Sequence, residues 1–406
     1  MENKRKIIND PVFGFITIPN DFIYSLIKHP FLQRLNRIRQ MGLAFFVYPG
    51  AQHTRFHHSI GAMFLMHEAI INLRAKGQDI TDAEADAAMA CILLHDVGHG
   101  PFSHVLENAI LKNVHHEEVS LMLMNRLNKE LAGTLDLCIQ IFTDKYPKRF
   151  LHQLVSGQLD VDRLDYLRRD SFFSGVTEGN IGSARIIKML DVRNDNLVVE
   201  SKGIYSIENF LMARRLMYWQ VYLHKTAVAA EHMLINTLKR AKELTSSGDV
   251  LFASPALNYF LENEVTTEIF NRDEAALDHF VNLDDNDIWC SLKVWSGHAD
   301  TVLSVLSKCL VDRTLFKIHI ATEPASTQRM KDLVASYMKR FDLSQHEASY
   351  FVLSDAISTN MYDENDNSID ILYGDGTIKN IAEASDMLNI QLLSKRVQKY
   401  FLSYLR

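Results

Sequence analysis

His95-Asp96-Val97-Gly98-His99-Gly100-Pro101-Phe102-Ser103-His104 places a carboxylate and three imidazoles around two glycines, directly after an apolar run. The preceding Thr81-Asp82-Ala83-Glu84 has the form of a capping box, so a helix is expected from there through Cys91 and Leu94. That helix delivers His95 and Asp96 at its carbonyl-rich end, where the dipole favours a cation. Gly98 lets the chain turn away, so that His99 and His104 fold back over the same spot. Adjacent His and Asp supply nitrogen and oxygen donors that suit a divalent ion.

More donors flank this stretch. Nine of the 17 histidines (53, 57, 58, 67, 95, 99, 104, 115 and 116) fall between positions 53 and 116. Arg55-Phe56-His57-His58 lies upstream, and His115-His116-Glu117 and Asp160-Val161-Asp162-Arg163 lie downstream. Any one of these histidines alone reads as an ordinary hydrogen-bonded residue. Their grouping points to a metal or phosphate site.

Helical spacing dominates the chain to about residue 285. Residues 20–41 carry apolar groups at helical intervals, interrupted at His29-Pro30, and residues 59–75 repeat the pattern. Over 159–171 the residues Asp162, Tyr166 and Asp170 are four apart and share a face, with Arg163 and Arg169 beside them. One helix is expected over 207–240, with Arg214, Tyr218 and Tyr222 recurring every four residues, followed by His224-Lys225. Beyond 285 short strands are expected at 317–320 and 368–373, and helices at 301–310 and 327–341. The expected architecture is mainly α, with a helical core over 1–285 and a smaller mixed α+β lobe over 286–406.

Composition narrows the function. The net charge of −7 disfavours nonspecific nucleic-acid binding, though a local basic pocket can still hold phosphates. No run of about 18 apolar residues suggests a membrane span, and the polar first ten residues do not read as a secretory leader. Cys91, Cys138, Cys290 and Cys309 lack metal-type spacing and read as reduced thiols of a cytoplasmic protein. A glycine-rich phosphate loop and a G-x-S-x-G elbow are both missing, which removes support for kinase, dehydrogenase and serine-hydrolase readings.

The ordered motifs resemble the HD-domain phosphohydrolases, and within them the dNTP triphosphohydrolases that pair a sterile-alpha-motif with an HD domain. The blocks are Ile8-Asn9-Asp10-Pro11 with Gly14, Gln33-Arg34-Leu35, Gln40-Met41-Gly42, Val47-Tyr48-Pro49-Gly50-Ala51 and Arg55-Phe56-His57-His58-Ser59. The decapeptide 95–104, His116-Glu117 and Asp160-Val161-Asp162-Arg163-Leu164-Asp165-Tyr166 complete the series, collinear over roughly the first 240 residues.

The resemblance implies an HD-domain core in which His58, His95, Asp96 and Asp162 hold a divalent ion, whether Mn²⁺, Mg²⁺, Fe²⁺ or Ni²⁺. It implies triphosphate contacts from Arg55, His99, His116, Arg163, Tyr166 and Arg214, and a deoxyribose floor at Gln40 and Met41. Asp170 matches the acceptor of the 3′-hydroxyl, Tyr222 the ring that closes that pocket, and Tyr218 a position beside the base. His104 matches the catalytic histidine, with Glu107 one turn on to orient it and His99 nearby. The implied reaction breaks the bond to the α-phosphorus and releases deoxynucleoside and intact triphosphate.

Three departures stand out. His57 replaces an acidic residue, Tyr218 stands where the animal enzyme has a histidine, and Lys28 and Asn36 stand where the animal enzyme reads guanine, so activation by GTP is not expected. Lys6, Ile7, Asn9, Arg185, His224 and Lys225 match the adjoining dNTP effector site, which implies a dNTP effector and a homotetramer or similar oligomer. Two other classes remain: an HD phosphatase or phosphodiesterase acting on mono- or cyclic nucleotides, and a noncatalytic nucleotide sensor. The full donor set and the surplus of arginines for a single phosphate argue against both.

Overall fold

The computed structural model describes residues 6–102, 104–112, 114–359, 368–386 and 397–406, apart from the side chains of residues 104, 108, 357–359 and 397. Three helices form the centre of the body: Arg55–Ala75, Asp82–Leu94 and Val161–Ser174. The first is buried almost all round through Ser59, Ile60, Gly61, Ala62, Met63, Leu65 and Met66, as an interior helix must be. The second buries every residue from Ala87 to Leu94. Its start is the expected capping box, with Thr81 Oγ1 accepting from Glu84 N and Thr81 N donating to the Glu84 carboxylate. Asp160 caps the third helix by accepting from Arg163 N at 2.7 Å.

The interruption at His29-Pro30 is a true helix boundary: Asp21–Lys28 ends there, and His29 caps Pro30–Arg34. The single helix expected over 207–240 is corrected. Ile204–Met217 runs into a π-helical turn at Tyr218–Tyr222, and a new helix, Lys225–Ser246, starts with His224 Nδ1 accepting from Thr226 N.

A hairpin of Ile7–Asp10 and Gly14–Thr17 docks on the body, pairing Ile8 with Ile16. Beyond residue 285, Lys317–Ala321, Val352–Thr359 and Val397–Tyr404 make an antiparallel sheet with the last strand in the middle. The strand expected at 368–373 does not join it. Asp370–Leu372 pairs in parallel with Asn196–Glu200, within a sheet that also holds Leu190–Arg193 and Ile378–Asn380. Strand pairing therefore crosses the expected boundary at 285 and stitches the later segment to the helical body. The fold is mainly α with a smaller mixed part, and among the described residues no helix is long and apolar enough to cross a membrane.

Candidate active site

The helix ending at Leu94 places His95 at its C-terminus, where His95 Nδ1 lies 2.7 Å from the carbonyl of Ile92. Facing it, the Arg55–Ala75 helix supplies His58 and the Val161–Ser174 helix supplies Asp162. His58 Nε2 is 3.0 Å from Asp162 Oδ1, and His95 Nε2 is 3.5 Å from the same oxygen and 3.3 Å from Asp96 Oδ1. Both Nε2 atoms are buried, and among the described residues neither has a hydrogen bond of good geometry. On the far side of its ring, His58 Nδ1 donates to Asp165 Oδ2 at 2.7 Å, which turns Nε2 toward Asp162.

The electrostatics of the cluster call for a cation. Burial opposes a charge on His58, yet Asp162 and Asp165 outweigh it and lift the imidazole to about 10. Burial likewise opposes charge on His95, and Asp96 and Asp162 lift it. Burial alone would raise Asp162, but His58 and His95 hold it low. Two imidazole nitrogens and the Asp162 carboxylate converge closely enough to fit a divalent ion, with Asp96 beside them and paired to Arg55. His58, His95, Asp162 and Asp96 are the residues that would hold it. A bound ion of this kind polarises a phosphoryl oxygen and lowers the pKa of water.

A cavity of about 600 Å³ opens beside this cluster. Gln40, Met41, Arg55, His99, His116, Arg163, Tyr166, Asp170, Tyr218 and Tyr222 all line it, as do Asp96 and Asp162. Arg55 pairs with Asp96, and Arg163 is anchored on Asp160 and the carbonyl of Gly157. Burial, aided by Arg55, drives His99 down to about 3, so its ring is neutral and stacks on His116 at 3.8 Å between centroids. At another part of the wall Asp170 accepts from His53 at 2.7 Å and from the Tyr222 hydroxyl at 2.8 Å.

Some expected residues sit elsewhere. Arg214 is buried and donates to Gln158 Oε1 at 3.1 Å without lining the cavity. Glu107 Oε1 lies 3.2 Å from His116 Nδ1, making a second His/Glu group with His99. The helix His104–Ala109 is present, but the His104 side chain lies outside the described residues. His57, the departure from the family pattern, caps its own helix by accepting from Thr54 N at 3.2 Å. Lys6, Ile7 and Asn9 are exposed on the hairpin, Arg185 binds Ser206 Oγ and Lys202 O, and His224 and Lys225 open the 225–246 helix. Lys225 also lines a separate cleft of about 970 Å³ with Arg313, Lys317 and Arg340.

Residues to which spacing assigned no role brace this site. Arg34, fully buried, donates to the carbonyls of Leu283, Val97 and His99 and so clamps the loop after Asp96. Burial pulls its guanidinium down to about 9. Asp285 accepts from Phe102 N and Arg39 N. At Gly98 a Cβ would stand 2.1 Å from the carbonyl of His116, so only glycine lets the two segments meet. Each of these contacts joins residues far apart in sequence, which no periodicity announces.

Comparisons agree with this geometry. The HD domain family model matches residues 55–169, and the HD associated region matches residues 181–251. A phosphohydrolase of known crystal structure from Bacteroides thetaiotaomicron is 65% identical, over 99% of this chain and 100% of that one, with a TM-score of 0.97. The Bacillus subtilis protein YwfO is 29% identical over 94% of this chain and 88% of its own length. The deoxynucleoside triphosphate triphosphohydrolase SAMHD1 homolog of Dictyostelium discoideum is 31% identical over 61% of this chain, which spans 51% of that protein. The chain belongs to the HD-domain phosphohydrolases, a class of metal-binding hydrolases, and carries homology to dNTP triphosphohydrolases.

Proposed function

We propose that the protein is a deoxynucleoside triphosphate triphosphohydrolase, converting a dNTP and water into deoxynucleoside and triphosphate. The observation that carries this reading is the division of one cavity into two chemistries. Arg55, Arg163 and His116 stand near the metal-ligand cluster, whereas Asp170, held by His53 and Tyr222, offers a carboxylate of the kind that accepts a sugar hydroxyl. Gln40 and Met41 belong to the same wall, and by the family resemblance they form the floor that rejects a 2′-hydroxyl.

In the reaction, water adds to the α-phosphorus, the bond to the 5′-oxygen breaks, and that oxygen takes a proton. His104 is the assigned proton donor on the basis of the family resemblance. Arg55 and Arg163 neutralise charge spread over the phosphate oxygens in the transition state. The cationic cleft of Lys225, Arg313, Lys317 and Arg340 supports the companion reading that a second dNTP acts as effector between subunits of a homo-oligomer. The test is a Mn²⁺-supplemented assay of the four dNTPs in which deoxynucleoside and triphosphate are quantified together. Equal amounts of the two support the assignment; no turnover of any dNTP, with orthophosphate released from nucleoside monophosphates or a monophosphate formed from cyclic nucleotides in parallel assays, favours a different phosphohydrolase.

A further inference from the structure

His58 is tied to a path of charges that leads out of the site. Its Nδ1 partner, Asp165, accepts two further bonds from Arg169, through Nε and an Nη atom, each at 2.9 Å. Arg169 in turn donates to Asp10 Oδ2 at 2.7 Å, and Asp10 Oδ1 accepts from Val12 N and Phe13 N, closing the hairpin turn. Asp165 and Arg169 are wholly buried and Asp10 is 4% exposed. The Arg169 guanidinium also lies over the Phe13 ring, 5.6 Å from its centroid. Gly61 makes room for the path, since a Cβ there would stand 2.0 Å from Asp165 Oδ1 and 2.1 Å from an Arg169 nitrogen.

We infer that Asp165, Arg169 and Asp10 are positioning residues that couple the N-terminal hairpin to the metal ligand His58, so that hairpin docking and metal binding reinforce each other. The inference rests on the reading of His58 as a ligand. The physical reason is that a ligand imidazole takes its orientation and basicity from the carboxylate behind it. Here that carboxylate is itself fixed by a guanidinium whose remaining contact belongs to the hairpin. Undocking the hairpin would strand Arg169 with one carboxylate and loosen the fork that aims Asp165 at His58. By reciprocity, an ion bound at His58 stabilises the docked hairpin.

Asp10→Asn keeps the size of the side chain and its turn-capping oxygen while removing the charge seen by Arg169. Mn²⁺ affinity of the metal-free full-length protein, read by competition with a fluorescent chelator, is expected to fall about tenfold, the scale of outer-shell effects. In the wild-type protein Mn²⁺ is expected to slow amide hydrogen exchange across residues 7–17. His58→Ala serves as the control. Wild-type Mn²⁺ affinity in His58→Ala overturns the ligand reading and the coupling with it. Weakened binding in His58→Ala, together with wild-type affinity in Asp10→Asn, overturns the coupling alone. Should Asp10→Asn not fold, the exchange measurement decides: hairpin amides indifferent to Mn²⁺ overturn the coupling.

Discussion

Tyr222 donates its hydroxyl to Asp170 across 2.8 Å, joining the π-helical turn to the helix that carries Asp162 two turns earlier. The bond fixes one side of the cavity with respect to the cluster of His58, His95 and Asp162, because Asp162 and Asp170 share a rigid element.

The sugar pocket follows from this relationship. Asp170→Asn is expected to lower kcat/KM for a dNTP while leaving a 2′,3′-dideoxy analogue little changed, and the wild-type enzyme is expected to disfavour that analogue by roughly a hundredfold or more. Tyr222→Phe removes one of the two donors to Asp170 and is expected to cost about tenfold in kcat/KM. Steady-state kinetics with dNTP, rNTP and ddNTP check this, and equal turnover of an rNTP and its dNTP contradicts the floor at Gln40 and Met41.

The metal centre gives a second expectation. Asp162→Ala removes a donor and a charge together, so Mn²⁺ affinity is expected to fall by about a hundredfold or more and activity with it. Folding is expected to persist, since the Asp162 side chain lies part-exposed on the cavity wall and packs no core. Metal content by mass spectrometry and circular dichroism test the two halves, and stoichiometric metal in the variant contradicts the ligand assignment.

Acid stability is expected to depend on Glu84. Burial favours its neutral form, but Lys148 at 2.8 Å, the Tyr146 hydroxyl at 2.6 Å and Thr81 N at 2.7 Å outweigh burial and lower the carboxyl from 4.5 to about 2. A pKa depressed on folding contributes stability that is complete above about 4.5 and is lost as pH falls toward 2. Glu84→Gln is expected to cost about 2 kcal/mol near neutrality and less at pH 3. Urea unfolding of the two proteins at both pH values reads the difference, and a gap that does not narrow in acid contradicts the pairing.

Regulation is tested at Lys225, which lies outside the catalytic cavity. If a dNTP occupies the effector position, one dNTP accelerates hydrolysis of another, and Lys225→Ala removes the acceleration while sparing basal turnover. Hyperbolic kinetics for each dNTP alone, with no stimulation in any pair, leave Lys225, Arg185 and Lys6 as ordinary surface charges.

Local features were legible in the sequence, and long-range ones were not. Thr81 and Glu84 announce their helix because a capping box is complete within four residues, and Asp162, Tyr166 and Asp170 share a face because helical periodicity alone decides it. The π turn left no such mark. Residues 217–222 hold neither Gly nor Pro, and the break shows only as an acceptor at His224 before the next helix. Arg34, His53, Arg169 and Asp285 gain their roles from partners brought near by folding, so spacing could not single them out. The strand at 370–372 was legible as a strand, but its partner at 196–200 was a matter of tertiary packing.

Hydrolysis at the α-phosphorus of a dNTP is read out by turnover of the Mn²⁺-loaded enzyme in ¹⁸O-enriched water, with mass spectrometry of both products. A single ¹⁸O is expected in the released triphosphate and none in the deoxynucleoside. Label in the deoxynucleoside, or release of pyrophosphate or orthophosphate in place of triphosphate, would contradict it.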